Sequence, residues 1–588
     1  MSFQIKETPD SYDVIIVGSG AGGGMASKIL SEAGLSVAVV EAGGDFDPAK
    51  DEDRTQLRPP WESPRRGAGT RIRPFGDFDQ AIGGWDIDGE PYTRKDGTQF
   101  DWFRSRMVGG RTNHWGRISL RFGPNDFKRA SIDGMGHDWP IGYDDLKPYY
   151  DKVDKLIGVF GSKEGIFNEP DGFFLPPPKP RLHELIIKKG ADKANIPMIP
   201  GRLSMLTRPI NNERGVCFFC AQCNRACQAY ADFSAGTCLI HPAMKKGKVD
   251  LYTYSMVRKV TTDDTGKATG VSFVSKVDMK EYKLKSRVVV LGASACESSR
   301  ILMNSRSKVY PNGIGADSGV LGRYLHDSTG ADRMGIMPEL IDRERYNEDG
   351  VGGMHMYTPW WLDNKKLDFA RGYHIEYWGG MGQPAYGAGG SMDSMRKYLK
   401  DEFGNPSPSG GYGEGLKKDI RRIYGSTLGM SGRGESIPQY TNYCEIDPNV
   451  VDKYGIPVLR FHYKWTDEEI KQAKHMQDTF EEILTNAGAI QGDDGRLGFV
   501  GGVDPGDAGP APLPAQVERR PAGRQPPAVL LHARGTQRQQ RALASFVQAA
   551  LSLGIVVAMA DQLVAPRHQR RHHLGAMVVQ GRVDQGTR

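Results

Sequence analysis

The stretch Val14-Ile-Ile-Val-Gly-Ser-Gly-Ala-Gly-Gly-Gly24 constrains this 588-residue chain more than any other. Tyr12 to Val17 is an apolar, largely β-branched run that ends on glycine, which predicts a short buried strand. Gly18, Gly20 and Gly23 follow with G-x-G-x-x-G spacing. Ala26 to Gly34 reads as a helix, Val37 to Val40 as a second parallel strand, and Glu41 closes that strand. Each glycine has a physical task. Gly18 permits a tight turn, Gly20 lets the backbone approach a pyrophosphate, and Gly23 allows close helix–strand packing. The helix N-terminus offers unpaired N–H groups and a partial positive charge to phosphates. Glu41 can accept hydrogen bonds from both ribose hydroxyls, and its charge disfavours a 2′-phosphate. A glycine loop without a ligand leaves Glu41 unexplained, so the stretch reads as a dinucleotide site. By itself it does not choose between NAD and FAD.

At this length two intertwined or successive domains are the expectation. Net charge is +6, but residues 493–588 hold twelve Arg, no Lys and seven acids, so they carry +5 of it. The rest is nearly neutral, which argues against a nucleic-acid partner. No apolar run is long enough to cross a bilayer; the longest, Val547 to Ala560, is interrupted by Gln548. Met1 to Thr8 has neither an apolar core nor a twin arginine, so no secretion signal is visible. That suits a cytoplasmic protein or one exported with a signal-bearing partner subunit.

A second segment, Arg106-Met-Val-Gly-Gly-Arg-Thr-Asn-His-Trp-Gly116, decides the cofactor. With it the chain resembles the glucose–methanol–choline (GMC) flavoprotein oxidoreductases, and most of all bacterial gluconate and sugar dehydrogenase flavoprotein subunits and pyranose oxidases. The resemblance implies that Gly109, Gly110, Asn113, His114 and Trp115 lie against the isoalloxazine of FAD, where a Gly-Gly pair leaves the flavin face clear of a Cβ. In the pyranose-oxidase branch a His followed by Trp is bonded to the flavin, so the resemblance implies either a histidyl–FAD link at His114 or a non-covalent His beside the ring. It also carries over Val257 to the adenine end, and Ala293 and Ser294, in the strand–turn–helix Val288 to Arg300, to the ribityl-pyrophosphate. His326, in the following Leu321 to Asp327 segment, reads as structural. The implied fold class is α/β, a Rossmann-like FAD-binding domain with a second α+β substrate domain built on an antiparallel sheet.

Cys217, Cys220, Cys223 and Cys227 are spaced C-x2-C-x2-C-x3-C, the run that bacterial ferredoxins use for iron–sulfur clusters. Gln228 stands where Pro usually follows, and no second cysteine run exists. One iron–sulfur cluster held by three or four of these thiolates is the direct reading, and the resemblance to sugar dehydrogenases implies that it would drain electrons from flavin. A zinc knot, disulfides or reduced structural thiols remain the alternatives. Cys238, Cys296 and Cys444 read as ordinary buried cysteines.

Elsewhere Tyr143-Asp144 is expected to cap a helix beginning near Asp145, and a short helix is expected near His183 to Ala194. Short strands are expected at Val249 to Tyr254, Ala268 to Val274 and Glu281 to Lys285, and aromatic strands at Gly353 to Trp361 and Gly372 to Trp378. Glu468 to Ala487 carries an apolar face at helical period. Trp360, Trp361, Tyr373 and Trp378 are candidates for a carbohydrate pocket or for core. The domain reading is 1–135 with 245–330 for FAD, and 136–244 with 331–492 for substrate, the Cys-rich insertion being 217–227.

Residues 493–588 form an atypical low-complexity tail without Lys, Asn, Tyr, Trp or Cys, as expected of a GC-rich gene read out of frame. The family's catalytic His lies in a motif like H-x-x-G-T-x-R-M-G. His532-Ala-Arg-Gly-Thr-Gln-Arg538 fits its first part and His572 would be the second imidazole, but Met-Gly does not follow, so catalysis is in doubt. The resemblance implies an FAD-dependent dehydrogenase that oxidises a hydroxyl of a sugar, polyol or sugar acid and passes electrons to a cytochrome c or quinone-linked subunit. The alternatives are a catalytically impaired flavin-binding remnant or an iron–sulfur electron-transfer subunit.

Overall fold

A computed structural model describes residues 11–50, 83–84, 87–98, 100–221, 223, 227–247, 249–344, 350–362, 366–379, 413–491 and 556–559. In chain order its main elements begin with β1 (Tyr12–Val17), α1 (Ala21–Glu32) and β2 (Val37–Val40), followed by α2 (Tyr143–Ile157) and α3 (Leu182–Lys193). Then come β3 (Val249–Tyr252), β4 (Ser255–Thr262), β5 (Ala268–Ser275), β6 (Glu281–Leu291) and α4 (Ala295–Asn304). The chain continues with β7 (Thr329–Ile336), β8 (Met356–Thr358), β9 (Tyr373–Gly379), β10 (Thr427–Gly434), β11 (Tyr443–Val451), β12 (Pro457–His462) and α5 (Asp467–Ala487).

The first sheet runs β3-β2-β1-β6-β5-β4. β1 pairs in parallel with β2 and with the second half of β6, Val14 opposite Val37 and Val288. The four strands β3, β2, β1 and the end of β6 are apolar on both sides, because α1 with Ile240 and Ala243 covers one face and α4 with β4 and β5 covers the other. β6 is longer than the separate strands expected at Glu281 to Lys285 and Val288 to Leu291. Ser286 stays in register with Tyr12, so the first half extends antiparallel to β5 without a break. Within 493–588, Val556–Met559 adds an antiparallel strand beside Val288–Leu291.

The second sheet has six strands, with β7-β10-β9-β8 flanked by Ile490–Gln491 and Ile199–Pro200. Alternation sorts its faces. Tyr373, Ile375 and Tyr377 of β9 join Leu428 and Met430 of β10 in one core with Met476, Phe480, Ile483 and Leu484 of α5 and Ile186 and Ile187 of α3. Each of these side chains, fully buried, contributes roughly 1.5–3 kcal/mol. Tyr373 is therefore core, its hydroxyl meeting His475 Nδ1 at 2.8 Å and Thr479 Oγ1 at 3.0 Å. Trp361 packs at the edge of the same core. His374, Glu376 and Trp378 fall on the other face, clear of the helices.

Three boundaries differ from the sequence reading. α1 starts at Ala21, not Ala26, because Gly23 and Gly24 are helical: a Cβ on Gly23 would sit 1.9 Å from the Gly18 carbonyl oxygen, an approach only glycine permits. α2 starts at Tyr143 because Asp145 is not its first residue but the side chain that reaches back to the Gly142 amide, at 2.8 Å. The strand expected over Gly353 to Trp361 shrinks to Met356–Thr358, since Gly352 and Gly353 pack against the cysteine loop and Leu203 instead.

Candidate cofactor site

Two strand–turn–helix units meet back to back. Gly18 has φ +88°, and a Cβ there would stand 2.7 Å from the Gly292 carbonyl oxygen. Gly292 lies in turn against Gly23, its own Cβ position 2.9 Å from Gly23 Cα. The amide of Gly292 donates to the Val17 carbonyl at 2.8 Å. This contact places Ala293 and Ser294 beside the glycine turn. Ser294 has φ +69°, a conformation a serine adopts only under constraint, and it opens α4. A Cβ on Gly20 would meet nothing within 4 Å, so this glycine faces open space at the N-terminus of α1. No acidic residue occupies the first turn of α1 to oppose an anion there.

Glu41 is buried and its carboxylate reaches back into the turn. Oε2 accepts from the Ser19 amide at 3.1 Å and the Ser19 hydroxyl at 2.6 Å, and Oε1 accepts from the Gly43 amide at 2.9 Å. The Glu41 backbone bonds to Tyr252 and Ser255, which brings the start of β4 alongside. Val257 is buried in β4, next to a register shift between Val257 and Lys259. Those bonds put Val257 on the Glu41 side of the turn.

The third wall is the 106–117 segment. Gly109 (φ +90°) and Gly110 (φ +52°) both take left-handed conformations, and a Cβ on Gly110 would come within 3.4 Å of Gly20 Cα. Asn113 is buried and holds the turn closed through bonds to the Val108 and Gly110 carbonyls, both 2.9 Å, while accepting from Ser234 at 2.9 Å. His114 is buried, its Nε2 against the Ser105 hydroxyl and its ring edge-on to Phe103 at 5.2 Å. Trp115 donates its indole N–H to the Phe233 carbonyl at 3.1 Å. Arg117, fully buried with φ +62°, pairs with Asp232 and donates to the Asn113 carbonyl at 3.1 Å.

Gly18, Gly20, Gly23, Glu41, Gly109, Gly110, Ala293 and Ser294 thus converge from four separate stretches. Over residues 12–329 the chain matches the family model described as GMC oxidoreductase. The chain belongs to the GMC oxidoreductase family. It is 25% identical over 500 residues to 2-methyl-1,2-propanediol dehydrogenase of Mycolicibacterium austroafricanum, covering 82% of each chain. It is 24% identical over 513 residues to the gluconate 2-dehydrogenase flavoprotein of Pantoea cypripedii, 80% of this chain and 79% of that one. Identity to the fructose dehydrogenase large subunit of Gluconobacter japonicus is 25% over 351 residues, 54% of this chain and 59% of the relative. As a GMC protein the chain is a flavoprotein oxidoreductase acting on CH–OH groups, and FAD is the dinucleotide its family implies. The cradle fits that group: glycines wherever a Cβ would intrude, an open helix N-terminus, and a carboxylate at the end of β2.

The cysteine loop sits elsewhere. Cys217, Cys223 and Cys227 pack in an apolar cluster with Phe160, Leu206, Met354 and Tyr357. The Gly352 amide donates to Cys223 Sγ at 3.1 Å and the Phe219 amide to Cys217 Sγ at 3.3 Å, while Ala221 bonds to Gly350. All seven cysteines are unbridged. Among the described residues no group of three or more His, Cys, Asp or Glu side chains is placed to hold a metal ion. Burial among apolar side chains pushes the Cys217 thiol up to about 12 and Cys227 up to about 11. No electron step is derived through these thiols. His532 and His572 lie outside the described residues. His326 is exposed, its Nδ1 on the Tyr324 carbonyl at 2.9 Å.

Sequence reasoning missed Ser19, Arg106 and the Arg117–Asp232 pair. A hydroxyl between two turn glycines, and arginines inside an otherwise apolar Met-Val-Gly-Gly context, were the available signals. Among the described residues no helix is long and apolar enough to cross a membrane.

Proposed function

We propose that this chain is a dehydrogenase that oxidises a hydroxyl of a sugar, polyol or sugar acid and delivers the electrons to an external acceptor such as a cytochrome c or quinone-linked subunit. FAD, when bound, supplies the hydride acceptor. The convergence of the two glycine turns, Glu41 and the Gly109–Gly110 wall carries this reading, because those residues would hold the dinucleotide. The relatives named as acting on a diol, gluconate and fructose support the substrate class. So does the face of the second sheet opposite α5. Here Trp378 donates to Ser431 Oγ at 3.1 Å, and His374 Nε2 lies 3.2 Å from Glu376 Oε1. Such a mix of aromatic faces and hydroxyl-bonding groups suits a polyhydroxylated ligand. The chain's residues bind and orient the substrate alcohol; the base that takes its proton is assigned to His532, with His572 orienting the oxygen.

A spectrum of the purified full chain, before and after acid precipitation, tests the reading. Flavin absorbance that bleaches with an aldose, polyol or aldonate under nitrogen supports it. Flavin that remains with the precipitate establishes a covalent link, and its release in His114→Ala assigns that link to His114; flavin in the supernatant establishes a non-covalent one. Peroxide formation in air would replace the dehydrogenase by an oxidase. Flavin that no alcohol bleaches would leave a binding remnant, and iron without flavin would leave an electron-transfer subunit.

A further inference from the structure

The cradle is held together by a guanidinium that lies outside it. Arg106 precedes Met107-Val-Gly-Gly110, and its backbone is pressed against the strand end that follows Glu41: a Cβ on Gly43 would fall 1.8 Å from the Arg106 carbonyl carbon. Val108 bonds to the Gly44 carbonyl at 2.9 Å. The side chain turns the other way. Nε donates to Glu90 at 2.7 Å and NH2 to Glu297 at 2.5 Å, and all three side chains are 8% exposed or less. Glu297 lies in the first turn of α4, three residues after Ser294. Its other oxygen faces Arg300 at 3.6 Å, and Arg300 pairs with Asp452 at 2.7 Å. Glu90 also takes Lys276 at 2.8 Å.

A planar fork can hold two carboxylates at fixed angles, which an ammonium cannot. Here the fork joins the wall that carries Gly109 and Gly110 to the helix whose first turn carries Ser294. Charges this deeply buried are retained only when each is paired, so displacing one group displaces its partners. We infer that Arg106 is a positioning residue for FAD, holding the 107–116 wall in register with the first turn of α4 through Glu297, so that the Arg106–Glu297 pair sets cofactor affinity. The inference rests on the flavin reading above.

The test uses full-length protein carrying Arg106→Met, Arg106→Lys or Glu297→Gln, with Phe480→Ala in the substrate-domain core as a stability control. Each is stripped of flavin and titrated with FAD by fluorescence quenching, and its melting temperature is recorded without FAD. Should a histidyl link be present, the same titration is run in the His114→Ala background. The expected result is a dissociation constant raised about tenfold or more in Arg106→Met and Glu297→Gln, with partial recovery in Arg106→Lys. Phe480→Ala, though less stable, should bind as the parent does. If Arg106→Met fails to fold, Arg106→Lys and Glu297→Gln still decide. Parent-like affinity in the Arg106 and Glu297 variants, or equal weakening in Phe480→Ala, overturns the proposal. A parent that binds no FAD overturns the flavin reading instead.

Discussion

Ser19 donates its hydroxyl to Glu41 Oε2 at 2.6 Å and accepts the Gly109 amide at 3.0 Å, so one small side chain joins the glycine turn, the end of β2 and the Gly109–Gly110 wall. All three partners are buried. Ser19→Ala removes one bond from the carboxylate and leaves the Gly109 amide without its acceptor. An unsatisfied buried group costs about 1–3 kcal/mol. Urea denaturation of the flavin-free variant should show a loss of that size, together with weaker FAD retention on gel filtration. A midpoint equal to the parent's would mean that water replaces the hydroxyl.

Two glycines of the same turn should respond differently to the same methyl group. At Gly23 a Cβ would collide with the Gly18 carbonyl oxygen at 1.9 Å, and backbone cannot retreat cheaply. Gly23→Ala should therefore lower stability and flavin content together. At Gly20 the Cβ meets nothing within 4 Å of protein. Gly20→Ala should melt within a degree or two of the flavin-free parent, because surface changes away from packed features fall within about 0.5 kcal/mol. Its methyl group would point into the space assigned to the pyrophosphate, so FAD binding alone should fall. Calorimetry with and without FAD separates the two outcomes. Equal flavin retention in Gly20→Ala would move the pyrophosphate away from this turn.

The parts of this site that were legible in the sequence are those governed by local rules. The glycine turn, the Gly109–Gly110 pair and the small-residue turn at Ala293–Ser294 announce themselves because only glycine or a small residue tolerates those conformations and approaches, and Glu41 because it is an acid at the end of the second strand. The α/β plan was implied by the family resemblance that these segments carry, and two domains by the chain length. What was illegible depends on long-range pairing. Nothing near Arg106 says that its partner is Glu297, 191 residues away. Tyr373 looked equally fit for a pocket or a core until the register of β9 turned it toward α5. The cysteine spacing is compatible with a cluster, yet the burial of Cys223 and the Gly352 amide on its sulfur arise from a segment 129 residues distant.

The thiol loop gives a third prediction. Cys223 is 6% exposed within an apolar cluster, so Cys223→Ser places a hydroxyl there that, among the described residues, meets the Gly352 amide. Burying a hydroxyl with partial compensation costs roughly 1–3 kcal/mol. Stability should fall by that amount, read as the urea midpoint. Iron in the parent that is lost in Cys223→Ser would show that the thiols rearrange around a cluster.

His355 should impose a pH dependence on folding. It is 1% exposed, the Val351 amide donates to its Nε2 at 3.0 Å, and its Nδ1 faces the Lys179 carbonyl at 2.7 Å. An acceptor Nε2 and a donor Nδ1 require the neutral ring. Burial, with Arg181 adding to it, holds the imidazole down to about 4 from an ordinary 6.5, and Glu184 offsets this only in part. The unfolded chain therefore binds a proton near 6.5 that the folded chain takes up only near 4. Stability from this group is fully present above 6.5 and is lost as pH falls through that window, by ~3 kcal/mol in total. Urea midpoints measured from pH 7 to pH 4.5 should decline in the parent and decline less in His355→Gln, which starts lower at pH 7 because the packing is disturbed. An undiminished slope in the variant would assign the titration to another group.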